Sequence, residues 1–404
     1  METAFRAVYE QGEGGPSFGL LAEYDALSMG HGCGHQMQGP AIIGAALCIR
    51  ELAGDRPYKI VVYGTPAEES LGGKIIMQEN GCFQDIDIAL MMHAAPETCV
   101  DIKTMALENI RVTFYGKEAH AAMNPEQGRS ALDALELMNM GVQFLREHVV
   151  PEARIHYAIT NTGGYSPNVV QPYAEVLYLI RAPKNKQVEE IYQRVNKIAE
   201  GAAHMTETRV EIDFVKGCSN LVSNKVIAKR LWDNLTELGA PEYTEEELQM
   251  AKALSEGVGE GRFGSLEKVA AGLGKEEKKE VLAHKGESLY RFVAPFDPVG
   301  IMSFGSTDVG DVSWNCPTAQ AYVTTWAAGT PGHSWQVVTQ GKSGLAHKGL
   351  LYAAKAMAGA AVDLFEEPKY LEEAKAEMEE TLDGDTYHCP IPDGCKPRAL
   401  SAGK

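Results

Sequence analysis

Apolar runs and helically spaced apolar positions alternate through the first third of the chain. Short runs at residues 18–22, 59–63 and 86–92 predict buried β-strands. Between the first two runs, residues 39–52 carry apolar side chains at helical spacing, with Pro40 near the start. Strand, helix and strand in this order predict an α/β domain with a mostly parallel sheet that helices cover on both faces.

The pattern changes near residue 107, where strands with alternating apolar and polar positions replace the continuous apolar runs. The segment that follows predicts, in order, the strand 109–115, the helix 129–148, the strands 154–160 and 174–181, the helix 185–204 and the strand 208–214. This is the order of a split βαβ, ferredoxin-like sandwich, which can fold as an inserted domain. We therefore predict one domain from residues 1–106 and 217–404, and an inserted domain at residues 107–216.

Beyond the insert, the sequence predicts a loop, a further strand and a long helix. Residues 256–264 are rich in glycine and polar side chains and predict a loop. Residues 321–326 predict a further strand, and the alanine-rich residues 347–365 predict a long helix packed on the sheet. At 404 residues the chain exceeds what one hydrophobic core usually supports, in agreement with two domains.

Charge and composition narrow the classes of partner. A formal net charge of −18 argues against nucleic acid and anionic membrane surfaces. Apolar stretches are interrupted well short of a membrane span, and the N-terminus lacks the pattern of a secretory signal, so we expect a cytoplasmic protein. The eight cysteines show no compact disulfide spacing and are expected to be reduced thiols, with one candidate metal ligand among them.

Side chains that bind metals follow the predicted strands. His31, Cys33 and His35 alternate with glycine after the first strand, which allows a metal to approach closely. Glu68 and Glu69 follow the second strand, where one carboxylate can bind a metal while the other acts as a general base. Taken alone, the first cluster is a glycine-rich turn and the second is a solvated helix start.

Two histidines complete the pattern. His93 ends the third predicted strand, and His333 follows the strand 321–326. Each is more often a hydrogen-bonded structural residue, but one cysteine, one glutamate and three histidines at the carboxyl ends of strands are the complement that two adjacent divalent metals require. The motifs Gly-x-Ser-x-Gly and Gly-x-x-x-x-Gly-Lys-Ser/Thr are absent, which weakens serine-hydrolase and nucleotide-binding interpretations.

The ordered motifs of nearly the whole chain resemble the aminoacylase and carboxypeptidase family of co-catalytic metallopeptidases, in its amidohydrolase branch. These motifs are GHGCGH, GTPAEE followed by GGK, GKEAHAA, PNVVQPYAEVLYLIRAP, FGSTDVGDVSW, AAGTPGHSWQ, AHKGLLYAAK and YHCPIP. The resemblance implies two divalent metal ions and makes Glu68 the general base. The five ligands that it implies are Cys33, His35, Glu69, His93 and His333. A thiolate favours Zn²⁺, whereas the resemblance makes Mn²⁺ equally acceptable.

The resemblance also gives the insert a role as a lid and dimerisation domain. His120, which local pattern alone marks as a surface histidine, falls where the family stabilises the oxyanion, commonly across a dimer interface. Asn168 and Arg181 match lid positions that face the substrate, with Arg181 a partner for a carboxylate. The residues expected to support the site without binding metal are His31, Asp308 and Asp311.

Two features depart from the family pattern. Its catalytic domain normally begins several dozen residues before the segment that resembles residues 3–9, so we expect this N-terminus to be truncated. Gln36 stands where relatives carry Asn or Asp, which predicts a changed contact beside the ligands.

The function implied is metal-dependent hydrolysis of an amide bond between an acyl or aroyl group and an amino acid, with a substrate like p-aminobenzoyl-glutamate. One alternative is a dipeptidase or N-acyl-amino-acid hydrolase that uses the same residues. Another is a partner subunit that binds acidic amides and has little activity alone. The expected assembly is a homodimer or a hetero-oligomer with a related A subunit.

Overall fold

A computed structural model of the chain describes residues 1–258, 264–297 and 299–392. The chain forms two compact units. The first consists of Met1–Thr104, Leu221–Phe304 and Asp308–His388. The second consists of Met105–Asn220, Gly305–Thr307 and the described part of Cys389–Lys404. The predicted insert at residues 107–216 lies within the second unit.

The β-strands of the described residues are β1 Phe5–Gln11, β2 Ser17–Glu23, β3 Tyr58–Thr65, β4 Ile88–Ala95, β5 Cys99–Val100, β6 Ile102–Lys103, β7 Ala106–Tyr115, β8 Arg154–Asn161, β9 Tyr173–Ala182, β10 Arg209–Cys218, β11 Ile301–Met302 and β12 Thr318–Thr324. The α-helices are α1 Gln38–Ala53, α2 Gly73–Glu79, α3 Ala131–Leu145, α4 Asn185–Thr206, α5 Lys225–Leu238, α6 Glu245–Val258, α7 Gly264–Val269, α8 Lys275–Ala283, α9 Val309–Ser313, α10 Trp335–Gln340, α11 Gly344–Glu366 and α12 Lys369–Leu382. Short 3-10 helices lie at His35–Met37, Pro125–Gln127 and Arg146–His148.

The first unit is built on a six-stranded sheet in the order β1-β3-β2-β4-β12-β5. Strands β3, β2, β4 and β12 are mutually parallel, while β1 and β5 pair antiparallel at the two edges. Every residue of β2 is buried, as expected for a parallel strand covered on both faces. The predicted α/β fold with a mostly parallel sheet is confirmed.

Helices cover both faces of this sheet. Leu90 of β4 packs in one cluster with apolar residues of α1, α5 and α11, and its neighbour Met91 packs in another with residues of α2 and α9. The alanine-rich α11 approaches the sheet closely. A Cβ at Gly349 would lie only 2.4 Å from the carbonyl oxygen of Thr324, so this contact requires glycine.

The second unit is an antiparallel sheet in the order β10-β7-β9-β8, with α3 and α4 packed on one face. Alternate residues of β9 are buried, which is the pattern of a strand with one face on the core. The predicted split βαβ sandwich is confirmed. Its first helix begins at Ala131, because the Ser130 hydroxyl caps the helix by accepting a hydrogen bond from the Asp133 amide at 3.0 Å.

Several boundaries differ from the sequence-based predictions. Strand β4 continues to Ala95, so His93 lies within the strand and not at its end. Of the predicted loop at 256–264, residues 256–258 belong to α6 and residue 264 begins α7, while 259–263 lie outside the described residues. None of the helices that the structure describes is both long enough and apolar enough to cross a membrane.

We predict that Leu90→Ala lowers the free energy of unfolding of the first unit by about 2–5 kcal/mol, because it leaves a cavity in the centre of the sheet. Leu90 is 0% exposed. All four tryptophans lie in the first unit, so tryptophan fluorescence during urea unfolding reports on it. The matched control is Leu52→Ala, since Leu52 is 54% exposed. Equal losses in the two variants would contradict the core position of Leu90.

Candidate metal centre

The predicted ligands converge at one edge of the large sheet. One ligand atom from each of Cys33, His35 and His93 lies within 4.8 Å of the other two. Cys33, Glu69 and His333 form a second group by the same measure. Cys33 belongs to both groups, so the two groups are adjacent. Residues arranged in this way would be able to hold two neighbouring divalent cations.

Unusual backbone conformations hold these side chains in place. Gly34, between Cys33 and His35, has φ 81°, and a Cβ there would lie 2.8 Å from the Ala94 side chain. Ala67 has φ 64° and His333 has φ 56°, although neither is glycine. Such left-handed conformations are costly for residues with a Cβ and concentrate at functional sites.

Asp25 orients two of the candidate ligands at once. The Nδ1 atom of His35 donates to one Asp25 oxygen at 3.0 Å, and the backbone N–H of Glu69 donates to the other at 2.8 Å. The His35 Nε2 atom remains available for a metal: it lies 3.2 Å from a Glu23 oxygen without forming a hydrogen bond. A carboxylate behind a histidine ligand fixes its tautomer and ring orientation. The sequence-based predictions gave Asp25 no role.

His93 is held in the neutral form that metals require. Its Nδ1 donates to the Ala94 carbonyl oxygen at 2.8 Å, which leaves Nε2 facing the Cys33 sulfur at 3.6 Å. Burial lowers the pKa of His93 to about 4. The ring of Tyr322 stacks on it, with 5.1 Å between centroids.

Charge at the centre favours a cation. Burial alone would lower the pKa of His35, but Glu23 and Asp25 raise it to about 12. Burial raises the pKa of the Cys33 thiol to about 11. A metal ion therefore has to displace a proton from the thiol, and its own charge can replace the proton that the carboxylates hold at His35.

A buried ion-pair network lies beside the ligands. The Lys74 ammonium contacts a Glu23 oxygen at 2.5 Å and an Asp308 oxygen at 2.6 Å, and all three side chains are buried. Burial would raise the pKa of Glu23, but Lys74 and His35 lower it to about 2. Oxygens of Glu23, Glu68 and Asp308 also lie within 4.8 Å of one another, and the single Lys74 ammonium already pairs with two of these acids. Asp308 is thus linked to Glu23 through Lys74.

The other residues predicted to support the centre have different surroundings. His31 is half-buried, and its Nδ1 atom has no hydrogen-bond partner among the described residues. Asp311 is buried and accepts a hydrogen bond from the Tyr387 hydroxyl at 3.0 Å. A Cβ at Gly341 would lie 2.1 Å from the Gln36 amide nitrogen, so a glycine makes room for the longer Gln36 side chain.

His120, Asn168 and Arg181 lie in the second unit. The backbone N–H of Ala121 donates to the Asn168 carbonyl oxygen at 2.9 Å, so the His120 and Asn168 segments are adjacent. His120 is exposed, and its Nδ1 accepts hydrogen bonds from two backbone N–H groups at 3.2 and 3.3 Å. Its proton therefore lies on Nε2, which is free to donate. Arg181 donates to the Ser306 hydroxyl at 3.0 Å.

A cavity of about 820 Å³ opens beside the candidate ligands. Cys33, His93 and His333 line it, together with the aromatic residues Tyr322 and Trp326. Its volume is within the range of small-molecule sites. The ligand groups are therefore accessible to a substrate.

A family model and two relatives match this chain. Residues 105–207 match the family model described as the peptidase dimerisation domain. The B subunit of p-aminobenzoyl-glutamate hydrolase from Escherichia coli strain K12 is 44% identical over 96% of this chain and 85% of its own length. The Xaa-Arg dipeptidase of Homo sapiens is 35% identical over 68% of this chain and 65% of its own length.

A solved structure shares the fold. It is a dinuclear metal-binding peptidase of the M20 family from Bacillus subtilis, with a TM-score of 0.54 and 14% sequence identity. The match covers 90% of this chain and 86% of that one.

We predict that Asp25→Asn weakens metal binding about 10- to 100-fold, the usual effect of removing a carboxylate behind a histidine ligand. The amide can still accept from Glu69, but it then presents its NH₂ group to His35 and favours the wrong imidazole tautomer. Competition with a chromogenic chelator measures the affinity. The control is Asp55→Asn, an exposed aspartate. Unchanged affinity in Asp25→Asn would show that Asp25 does not orient a ligand.

Proposed function

The chain belongs to the M20 family of metallopeptidases, as its motifs predicted, and we propose that it hydrolyses the amide bond between an aroyl group and glutamate, as in p-aminobenzoyl-glutamate. It is a hydrolase, like the relatives it matches. The choice of substrate is based on the 44% identity to the B subunit of p-aminobenzoyl-glutamate hydrolase over 96% of the chain. Two ligand groups that share Cys33, beside the acid pair Glu68 and Glu69, support the chemistry.

The residues present fit two divalent ions, for which we propose Zn²⁺ or Mn²⁺. The donors are a thiolate, a carboxylate and three imidazoles, a set that suits Zn²⁺ particularly well. One oxygen of Glu69 is buried without a hydrogen-bond partner among the described residues, and His333 Nε2 lies 3.5 Å from it. A cation between such atoms satisfies both. Two divalent ions held there would polarise the scissile carbonyl and lower the pKa of the attacking water.

Glu68 is the proposed general base. One Glu68 oxygen lies within 4.8 Å of a ligand atom of His35 and of Glu69, while the two groups that contain Cys33 do not include Glu68. Glu68 takes the proton of the attacking water and passes it to the leaving amine, which departs as a neutral group. Ala67 directly precedes Glu68, and its left-handed conformation sets the direction of the backbone at Glu68 and Glu69.

In the second unit, His120, Asn168 and Arg181 are the proposed substrate residues, and the unit itself is the proposed lid. His120 donates from Nε2 to the carbonyl oxygen as it gains negative charge. The Arg181 guanidinium pairs with a carboxylate of the glutamate part, and Asn168 supplies a neutral hydrogen bond. The hydrogen bonds to His120 Nδ1 support this role, because they fix the tautomer that can donate.

We propose that the second unit also forms a dimer, in agreement with the family model that it matches. Strand β8 is an edge of the sheet, and its Tyr157 and Ile159 side chains are exposed. Helix α3 exposes Met140 and Phe144. An edge strand and exposed apolar side chains in one unit suit pairing with a second copy or with a related A subunit.

Metal-loaded protein purified without any other subunit is expected to release glutamate from p-aminobenzoyl-glutamate, measured by an enzyme-coupled glutamate assay. Chelator-treated protein is the control and should be inactive. Release of amino acids from Xaa-Arg dipeptides alone would favour the dipeptidase alternative, which the 35% identity to such an enzyme supports. Absence of turnover with any N-acyl amino acid or dipeptide would contradict the proposal and leave the partner-subunit alternative.

We predict that Glu68→Gln reduces kcat by about 10²–10⁴-fold while the metal content is kept, because an amide cannot accept the proton of the attacking water. Metal analysis and steady-state kinetics on the same sample separate the two effects. Glu69→Gln is the matched control one residue away and should lose metal as well as activity. Wild-type kcat in Glu68→Gln would remove Glu68 from the mechanism.

A further inference from the structure

One carboxylate that is not among the predicted ligands lines the cavity. Glu97 follows the end of β4 by two residues and contributes to the cavity wall. Its Oε2 atom is buried and has no hydrogen-bond partner among the described residues. Leaving a buried carboxylate oxygen without a donor is unfavourable, so this atom is available to accept a hydrogen bond from a group that enters the cavity.

The surroundings of Glu97 indicate what kind of group this is. Ser265 and Lys268 also line the cavity. Burial raises the pKa of Glu97 to about 7, and Ser265 and Lys268 only partly oppose the rise. A carboxylate of the substrate would be repelled by Glu97, and a cationic side chain would be repelled by Lys268. A neutral N–H donor fits both neighbours.

The wall of the cavity suits a flat ring. Tyr322 stacks on His93, and the indole Nε1 of the buried Trp326 has no hydrogen-bond partner among the described residues. Since Glu97 follows His93 by four residues, their Cα atoms lie at most about 14 Å apart, even in a fully extended chain. A substrate whose carbonyl group reaches the ligand groups can therefore extend an aromatic acyl group toward Glu97.

We propose that Glu97 is a specificity residue that accepts a hydrogen bond from a neutral N–H donor on the aromatic acyl part of the substrate, such as an arylamine. This inference rests on the proposed function, because it assigns the aroyl half of that substrate to the cavity of the first unit.

The test compares p-aminobenzoyl-glutamate with benzoyl-glutamate, which lacks only the amino group. At about pH 8, above the pKa of about 7 so that most Glu97 is ionised, the wild-type protein is expected to prefer the amino compound in kcat/KM by about 10- to 100-fold, the range for a hydrogen bond to a charged group. In Glu97→Ala this ratio should fall toward one. The matched control is Glu276→Ala in α8, an exposed glutamate outside the cavity wall, which should keep the wild-type ratio.

A binding measurement checks the same contact without turnover. Calorimetry on the Glu68→Gln protein should show tighter binding of p-aminobenzoate than of benzoate, and the additional change Glu97→Ala should remove the difference. An unchanged ratio of the two kcat/KM values in Glu97→Ala would overturn the inference, even if kcat/KM fell equally for both substrates. Failure of the wild-type protein to cleave either compound would instead contradict the proposed function, so the two failures are distinguishable.

Discussion

The ammonium group of Lys74 is buried between two carboxylates, and the arrangement of the metal centre depends on this contact. Glu23 ends β2, Lys74 lies in the first turn of α2, and Asp308 precedes α9. The two ion pairs therefore join three elements directly behind the candidate ligands. Removing one partner from a buried network of this kind typically costs about 3–5 kcal/mol, because the remaining charges lose their compensation. Glu23 in turn lies beside His35, so the position of a ligand depends on the cation behind it.

The balance of charge explains why this region suits metal ions. Glu23, Asp25 and Glu69 bring negative charge to one place, and Lys74 offsets only part of it. The high pKa of His35 results from the same excess of negative charge, since the carboxylates retain a proton on the imidazole. Divalent cations held there would supply the missing charge and the electrophile that amide hydrolysis requires.

The sequence was most informative where local pattern and fold agree. Buried parallel strands are continuous apolar runs, so β2, β3 and β4 were found to within a few residues, and the residues after them include the candidate ligands. Asp25 and Lys74 could not be predicted in the same way. Lys74 and Asp308 are in contact although they lie 234 positions apart in the sequence. The residues around a single lysine do not indicate such a contact. The extension of β4 past His93 depends on pairing with β12, which is equally remote.

The two ligand groups also differ in when they can exist. Cys33, His35 and His93 are all present once the first 93 residues have been synthesised. The second group needs His333, which follows His93 by 240 positions. At translation rates of about 5–20 residues per second, synthesis of this stretch lasts roughly 12–48 s. In a nascent chain Cys33, His35 and His93 would therefore be available to a first cation well before the remaining candidate ligands are synthesised.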